Sequence, residues 1–194
     1  SVFNTDTSTI LWISVAFWVT TVGLGLTIGW LVDVRDKRSI YTLGFVIFSL
    51  ALMLAALTSS LWQLILVRIF MGFGSAMILA GVNAIIVDNF HGHERAKAIG
   101  LAGAVVGIGL SGGPVFGGFL LDYLDWRSLF YSRIPISIVA AVLSWLVLKK
   151  QAGLGGNKLS IEWIGVVSLF AVLASLILIF NRGAQVGWGS SVVL

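Results

Sequence analysis

Long apolar runs alternate with short polar clusters along the whole chain. The first run extends from about Ile10 to Val32 without a charge, and Trp12, Trp18 and Trp30 mark its ends and middle. Further runs cover Ser39 to Thr58, Leu61 to Val87, Ala98 to Leu121, Ser128 to Leu148 and Trp163 to Phe180. Crossing a bilayer takes about 20 apolar residues, whereas 10 to 14 suit a buried core helix. Each run is therefore predicted to be a membrane-spanning α-helix, and the chain an all-α polytopic membrane protein. The cluster Asp33, Arg35, Asp36, Lys37, Arg38 is short enough to force an antiparallel hairpin between the first two spans. Asp88 to Lys97 forms the next polar loop on the same side.

Within the fourth run, Gly103 to Gly118 reads GAVVGIGLSGGPVFGG, with small residues returning every four positions. Gly103, Gly107 and Ser111 share one register, and Gly109, Gly113 and Gly117 the other. In water each glycine would cost a helix roughly 1 kcal/mol relative to alanine. In hydrocarbon the backbone must satisfy itself, so the helix forms and the glycines leave a smooth face for another backbone. Pro114 removes one intrahelical hydrogen bond from that helix and is expected to bend it. Two readings stand: a packing seam of small residues, or a close-packed helix at the moving joint of a transporter.

Composition supports the membrane reading, for the 194 residues are 58% hydrophobic and only 10% charged. The net charge of +4 is not a nucleic-acid signal, because the basic residues sit in loops between spans and there set orientation. Arg35, Lys37, Arg38, Arg95, Lys97, Lys149, Lys150 and Lys158 fall on one side; Arg127, Arg133 and Arg182 fall on or near the other. The first set marks the cytoplasmic face. With no cysteine, disulfides and thiol chemistry are excluded, and His91 and His93 have no third ligand in view for a metal. No cofactor is expected. The chain opens on Ser1 with no basic leader and stops at Leu194 as another apolar run begins, so it is expected to be part of a longer protein.

Gly29, Asp33, Arg35, Lys37 and Arg38 resemble the signature loop between the second and third helices of the major facilitator superfamily. Val34 stands where that signature has arginine, and Asp36 where it has glycine. Leu64, Arg68, Gly72 and Gly74 resemble the family's fourth-helix motif, with Met71 in place of glutamine. Gly109, Gly113, Pro114, Gly117 and Gly118 match its fifth-helix antiporter motif at every glycine and proline. Trp126, Arg127, Phe130 and Pro135 are similar to the run that opens the sixth helix in multidrug exporters, and Gly183, Gly187 and Trp188 to a loop of the fourteen-helix drug:proton antiporters. The resemblance implies the family's N-terminal helical bundle: helices two to six over residues 1–148, a cytoplasmic linker over 149–162, and helix seven with the start of eight over 163–194. Helix one and the C-terminal half would lie outside the chain.

It further implies a proton-coupled exporter of small amphipathic compounds such as drugs, working by alternating access in the cell membrane. Its partners would be a small-molecule substrate, the lipid bilayer and the C-terminal half of the same protein, with the proton as coupling ion. Asp33, Lys37 and Asp88 would form a charge cluster that latches the two halves in the outward-facing state; the alternative is a solvated basic loop facing anionic lipid head groups, which Arg35 and Arg38 fit better. Arg68 lies about two turns inside its span, where an unpartnered charge is costly and therefore a functional candidate; the alternative is snorkelling to the outer interface. Lining a cavity, it would shift the pKa of a carboxylate so that substrate and proton compete. No predicted span holds an Asp or Glu, so that carboxylate would lie outside this chain. Arg133 either snorkels or faces the cavity, where a second cation would favour anionic or zwitterionic substrates. Thr20, Thr21, Thr27, Ser75 and Asn83, with Trp12 and Phe17, are candidate cavity contacts, against the plainer reading of helix–helix hydrogen bonds and lipid-facing aromatics. A polytopic membrane enzyme and a non-transporting membrane sensor are the alternatives. The enzyme would need a nucleophile with a base, or a histidine–carboxylate cluster, at membrane depth.

Overall fold

In a computed structural model, residues 7–150 are described, with side chains from Ile13 onward, together with isolated helical positions between 165 and 175. The expected linker beyond Lys150, the sixth span, and the Gly183, Gly187 and Trp188 loop lie outside the described residues. The elements run α1 (Thr7–Gly23), α2 (Gly25–Val34), α3 (Lys37–Leu57), α4 (Leu61–Asn89), α5 (Gly92–Tyr123), α6 (Ser128–Tyr131) and α7 (Arg133–Val147). No strand occurs among the described residues. Among the described residues, four spans are long and apolar enough to cross a membrane: α3, α4, α5, and α6 with α7 taken together. A fifth is obtained if α1 and α2 form one broken span.

That break is the first departure from the sequence expectation, which had a single helix from Ile10 to Val32. The axis bends by 40° at Leu24. Thr20 Oγ1 donates to the Ala16 carbonyl at 2.7 Å and Thr21 Oγ1 to the Phe17 carbonyl at 2.8 Å. Such back-bonding bends helices, and the flanking Gly23 and Gly25 give little resistance. A similar cause divides α6 from α7. Pro135 has no N–H for the Tyr131 carbonyl four residues back, and α6 ends at that residue.

The second departure concerns the polar loop expected over Asp88 to Lys97. Only Phe90 and His91 are non-helical there. Gly92 opens α5 at φ 53°, a left-handed conformation that glycine adopts without strain. Glu94 then lies in the first turn, where an anion favours the helix dipole. The helix thus starts well before the apolar run that announced it. At the other side of the bundle, Ser60 and Gln63 form a capping box that starts α4.

Helix α4 is the centre of the bundle, packed by α1 and α2 along one side and α3 along another. Its glycines permit this. A Cβ on Gly72 would lie 2.7 Å from Thr20 Cβ and 2.8 Å from the Phe17 carbonyl oxygen of α1. One on Gly74 would lie 2.9 Å from the Gly44 carbonyl oxygen of α3. Gly81 meets Tyr41 as closely. Buried Ala51, Leu52, Ala55, Ala56, Leu64 and Met71 fill the space between α3 and α4, and Phe130 of α6 closes it.

Helix α7 packs antiparallel on α3 through two polar rungs. Thr42 and Ser144 hydroxyls share a hydrogen bond at 2.8 Å, and Ser49 Oγ lies 2.7 Å from Ser137 Oγ. Helix α5, by contrast, has no buried residue.

Candidate functional site

The chain has two polar regions, one toward each end of the bundle. In the outer half, the carboxyl-terminal part of α5 runs beside α6 and the start of α7. Between them is a cleft of about 460 Å³. Gly109, Gly113 and Gly117 form its α5 wall, with Phe116 between them, and Ser132 and Arg133 form the opposite rim. The structure therefore brings together the antiporter-like glycines and the unexpected arginine, which the sequence reading had treated separately. Pro114 and Gly118 are on the same helix but do not line the cleft.

The glycine face is open. Among the described residues, a Cβ on Gly103, Gly107, Gly109, Gly113 or Gly118 would meet nothing within 4 Å, and one on Gly117 would just touch Leu129 at 3.6 Å. Close backbone approaches among the described residues occur in α4, at Gly72, Gly74 and Gly81; the half whose helix is expected to pack on the α5 face lies outside this chain. Helix α5 itself continues without interruption through Pro114.

Arg68 is half-buried on α4, with its guanidinium carbon 5.4 Å above the Phe130 ring. Its Nε is buried without a hydrogen-bond partner among the described residues. Arg133 is exposed and lines the cleft, whereas Arg68 is not part of the cleft wall. Neither arginine is paired to a carboxylate among the described residues. Gly72, one turn further along α4, serves the contact with α1; Thr21 Oγ1 also reaches its carbonyl at 3.3 Å. Of the other suggested cavity contacts, Thr20 and Thr21 make helix–helix and back-bonded contacts, and Asn83 is exposed.

At the end of the bundle that the Lys and Arg distribution assigns to the cytoplasm, Lys37 at the start of α3 pairs with Asp88 at the end of α4. Each charge is unfavourable to its own helix dipole, since a cation sits at an N-terminus and an anion at a C-terminus. Pairing them offsets both. Lys37 is buried while Asp88 keeps about a third of its side-chain surface. Asp33 is exposed at the end of α2 and forms no ion pair among the described residues. Gly29 has open space around it. Arg35 lies exposed in the turn, and Arg38 stacks on Trp145 of α7 at 4.0 Å.

Sequence reasoning missed the work of Arg127. Its Nε donates to the Ala56 carbonyl at 3.1 Å and an Nη to the Thr58 carbonyl at 3.1 Å, while the other Nη meets Asp125 at 3.2 Å. It therefore caps the C-terminus of α3 from the loop before α6, fixing the height of Arg133 one turn and a half later. The signal was an arginine in a short outer loop, on the side where arginines are scarce. The two serine–threonine rungs were also legible: Thr42 and Ser49 are seven residues apart, as are Ser137 and Ser144.

Comparison with known proteins agrees with this architecture. The family model described as Major Facilitator Superfamily matches residues 1–185. The chain is similar to the riboflavin transporter RibZ of Clostridioides difficile (strain 630), with 37% identity over 177 residues, covering 91% of this chain and 38% of the relative. It is 28% identical to the multidrug transporter protein MdtP of Bacillus subtilis (strain 168), over 96% of this chain and 34% of that protein. Multidrug resistance protein 3 of the same organism is 26% identical over 92% of this chain and 35% of its own length. The chain thus spans little more than a third of the curated relatives it matches. All three are named as transporters or resistance proteins and none as an enzyme, which removes the membrane-enzyme alternative. With an all-helical bundle, helices able to cross a membrane and a family match over nearly its whole length, the chain belongs to the Major Facilitator Superfamily.

Proposed function

We propose that this chain forms the N-terminal part of a proton-coupled exporter of small amphipathic compounds, resident in the cell membrane and working by alternating access. The observation that carries the proposal is the cleft in which Gly109, Gly113 and Gly117 face Arg133. A helix face without side chains, open along its length, is a surface on which a second helix can slide or seat closely. In the intact protein that helix comes from the half outside this chain. Seating closes the outer side against protons; separation admits substrate. The Lys37–Asp88 pair belongs to the opposite, cytoplasmic side, and with exposed Asp33 at the end of α2 supplies charges for a latch to the other half. The similarity to proteins named as multidrug transporters supports drug-like cargo.

Arg68 and Arg133 set the charge preference. Two cations without a carboxylate partner among the described residues disfavour a third at the same site, so anionic or zwitterionic amphipathic substrates are preferred over cations. The test is transport by the purified intact protein in proteoliposomes under an imposed pH gradient, with one anionic and one cationic amphipathic dye. Expected are gradient-driven dye movement, proton flux in the opposite direction and faster transport of the anionic dye. Dye movement indifferent to the gradient would overturn proton coupling, and movement of neither dye nor riboflavin would leave a non-transporting sensor.

A second reading is favoured by the relative at 37% identity, which is named as a riboflavin transporter. On that reading the cargo is a planar heteroaromatic vitamin rather than a drug. Saturable uptake of riboflavin by the same proteoliposomes, without movement of either dye, distinguishes it.

A further inference from the structure

At the cytoplasmic end, away from the outer cleft, α3, α4 and α7 leave a second cavity of about 550 Å³. Its polar side is formed by Arg38, Lys149 and Lys150, with no Asp or Glu among its lining residues. The nearest acid in the adjoining α4 terminus, Asp88, is already engaged by Lys37. The three cations line the cavity together with Asn89, and Lys150 also borders the neighbouring groove that Asp36 lines. Arg38 is held in place by stacking on Trp145 at 4.0 Å, and its Nε is buried without a hydrogen-bond partner. The apolar side is formed by Ile85, Phe90 and Val147. It continues onto the flank of α7, where Val139, Val142, Leu146 and Val147 are all more than half exposed.

We propose that this cavity is a binding site for the phosphate head group of an anionic phospholipid of the cytoplasmic leaflet. Arg38 and the two lysines hold the phosphate, and the first methylenes of the acyl chains follow the apolar wall onto α7. Basic pockets between spanning helices at this face suit anionic head groups, whose surface potential concentrates them there. The placement of Trp145 fits, since tryptophan favours the head-group level. A free phosphate would satisfy the same cations, but it would leave the apolar wall unused and exposed to water. Because Arg38 begins α3 and Lys149 follows α7, a bound head group ties together the two helices that the serine–threonine rungs join deeper in the membrane.

The test uses the intact protein, delipidated in detergent and titrated with phosphatidylglycerol, phosphatidylcholine or inorganic phosphate, with bound lipid counted by native mass spectrometry. Phosphatidylglycerol should be retained in preference to phosphatidylcholine. Replacing Arg38, Lys149 and Lys150 by glutamine should weaken it about fivefold for each charge removed. Arg95→Gln with Lys97→Gln, on the same face but outside the cavity, should leave retention unchanged. Arg38→Lys keeps the charge while losing the stacked plane, and should fall between wild type and Arg38→Gln, which guards against loss of fold in the triple variant. Equal retention of the two lipids would overturn the proposal, as would equal losses in the cavity and control variants. Displacement of phosphatidylglycerol by millimolar inorganic phosphate would reassign the site to a soluble anion and overturn the lipid assignment.

Discussion

Replacing Gly72 by alanine should destabilise the bundle, although the change adds one methyl group. The added carbon would stand 2.7 Å from Thr20 Cβ and 2.8 Å from the Phe17 carbonyl oxygen. Carbon pairs settle at about 3.5–4.0 Å, so α1 has to withdraw by about 1 Å. Rotating a side chain gives no relief, because one obstacle is backbone and the other is a Cβ. Overpacking of this kind costs about 1–3 kcal/mol. Withdrawal also breaks the 3.3 Å hydrogen bond from Thr21 Oγ1 to the Gly72 carbonyl, adding about 0.6 kcal/mol for an interhelical bond in a membrane. The sum is about 2.6 kcal/mol, or roughly an eightyfold loss in the folding equilibrium. Reversible unfolding of the intact protein in mixed micelles, followed by tryptophan fluorescence, measures it. Gly100→Ala is the control, since nothing lies within 4 Å of a Cβ there. It should be neutral or stabilising by up to about 1 kcal/mol from helix propensity. Equal stability of Gly72→Ala and wild type would refute the packing role of Gly72.

The two rungs between α3 and α7 should be energetically coupled: Ser49→Ala and Ser137→Ala together should cost less than the sum of the single changes by about 0.6 kcal/mol in a double-mutant cycle. Asp88→Asn should lower stability by about 1 kcal/mol or more, because it leaves buried Lys37 without its anion, whereas Asp33→Asn should change it by less than half of that. Chemical denaturation of both variants compares them directly, and equal effects would place Asp33 in the same charge cluster. Arg127→Met should lose two charge-assisted bonds to the Ala56 and Thr58 carbonyls, about 1.5 kcal/mol after allowance for its partial exposure. Hydrogen exchange at the C-terminal end of α3 should rise in that variant while the cytoplasmic end of α3 stays protected.

The spans themselves were legible because hydrocarbon leaves so few alternatives: an uncharged run of sufficient length must be a helix. Accordingly α3, α4 and the α6–α7 span begin or end within about two residues of their apolar runs. What the runs could not show was geometry created between helices. The bend at Leu24 arises from threonine back-bonds inside a uniformly apolar segment, which leaves no trace in hydropathy. The start of α5 was hidden because Gly92 to Lys97 is polar, and a helix that projects beyond the hydrocarbon has no need to be otherwise. Glycine spacing showed that close approaches exist but not where. Both α4 and α5 carry small residues at suitable intervals, and only the position of α4 between α1 and α3 decides which helix uses them. The cleft was half legible, since Arg133 and the glycines were each conspicuous while their juxtaposition depends on how α6 returns beside α5. Arg127 sets that return.

Export by Gly113→Leu tests the transport role of the open α5 face most directly. Within the described residues, the larger side chain meets nothing within 4 Å at its Cβ, so membrane insertion and yield should match wild type. In proteoliposomes under an imposed pH gradient, transport should fall at least tenfold, because leucine fills the surface on which the facing helix must seat. A properly inserted Gly113→Leu protein that transports at the wild-type rate would contradict this and leave the α5 glycines without a part in transport.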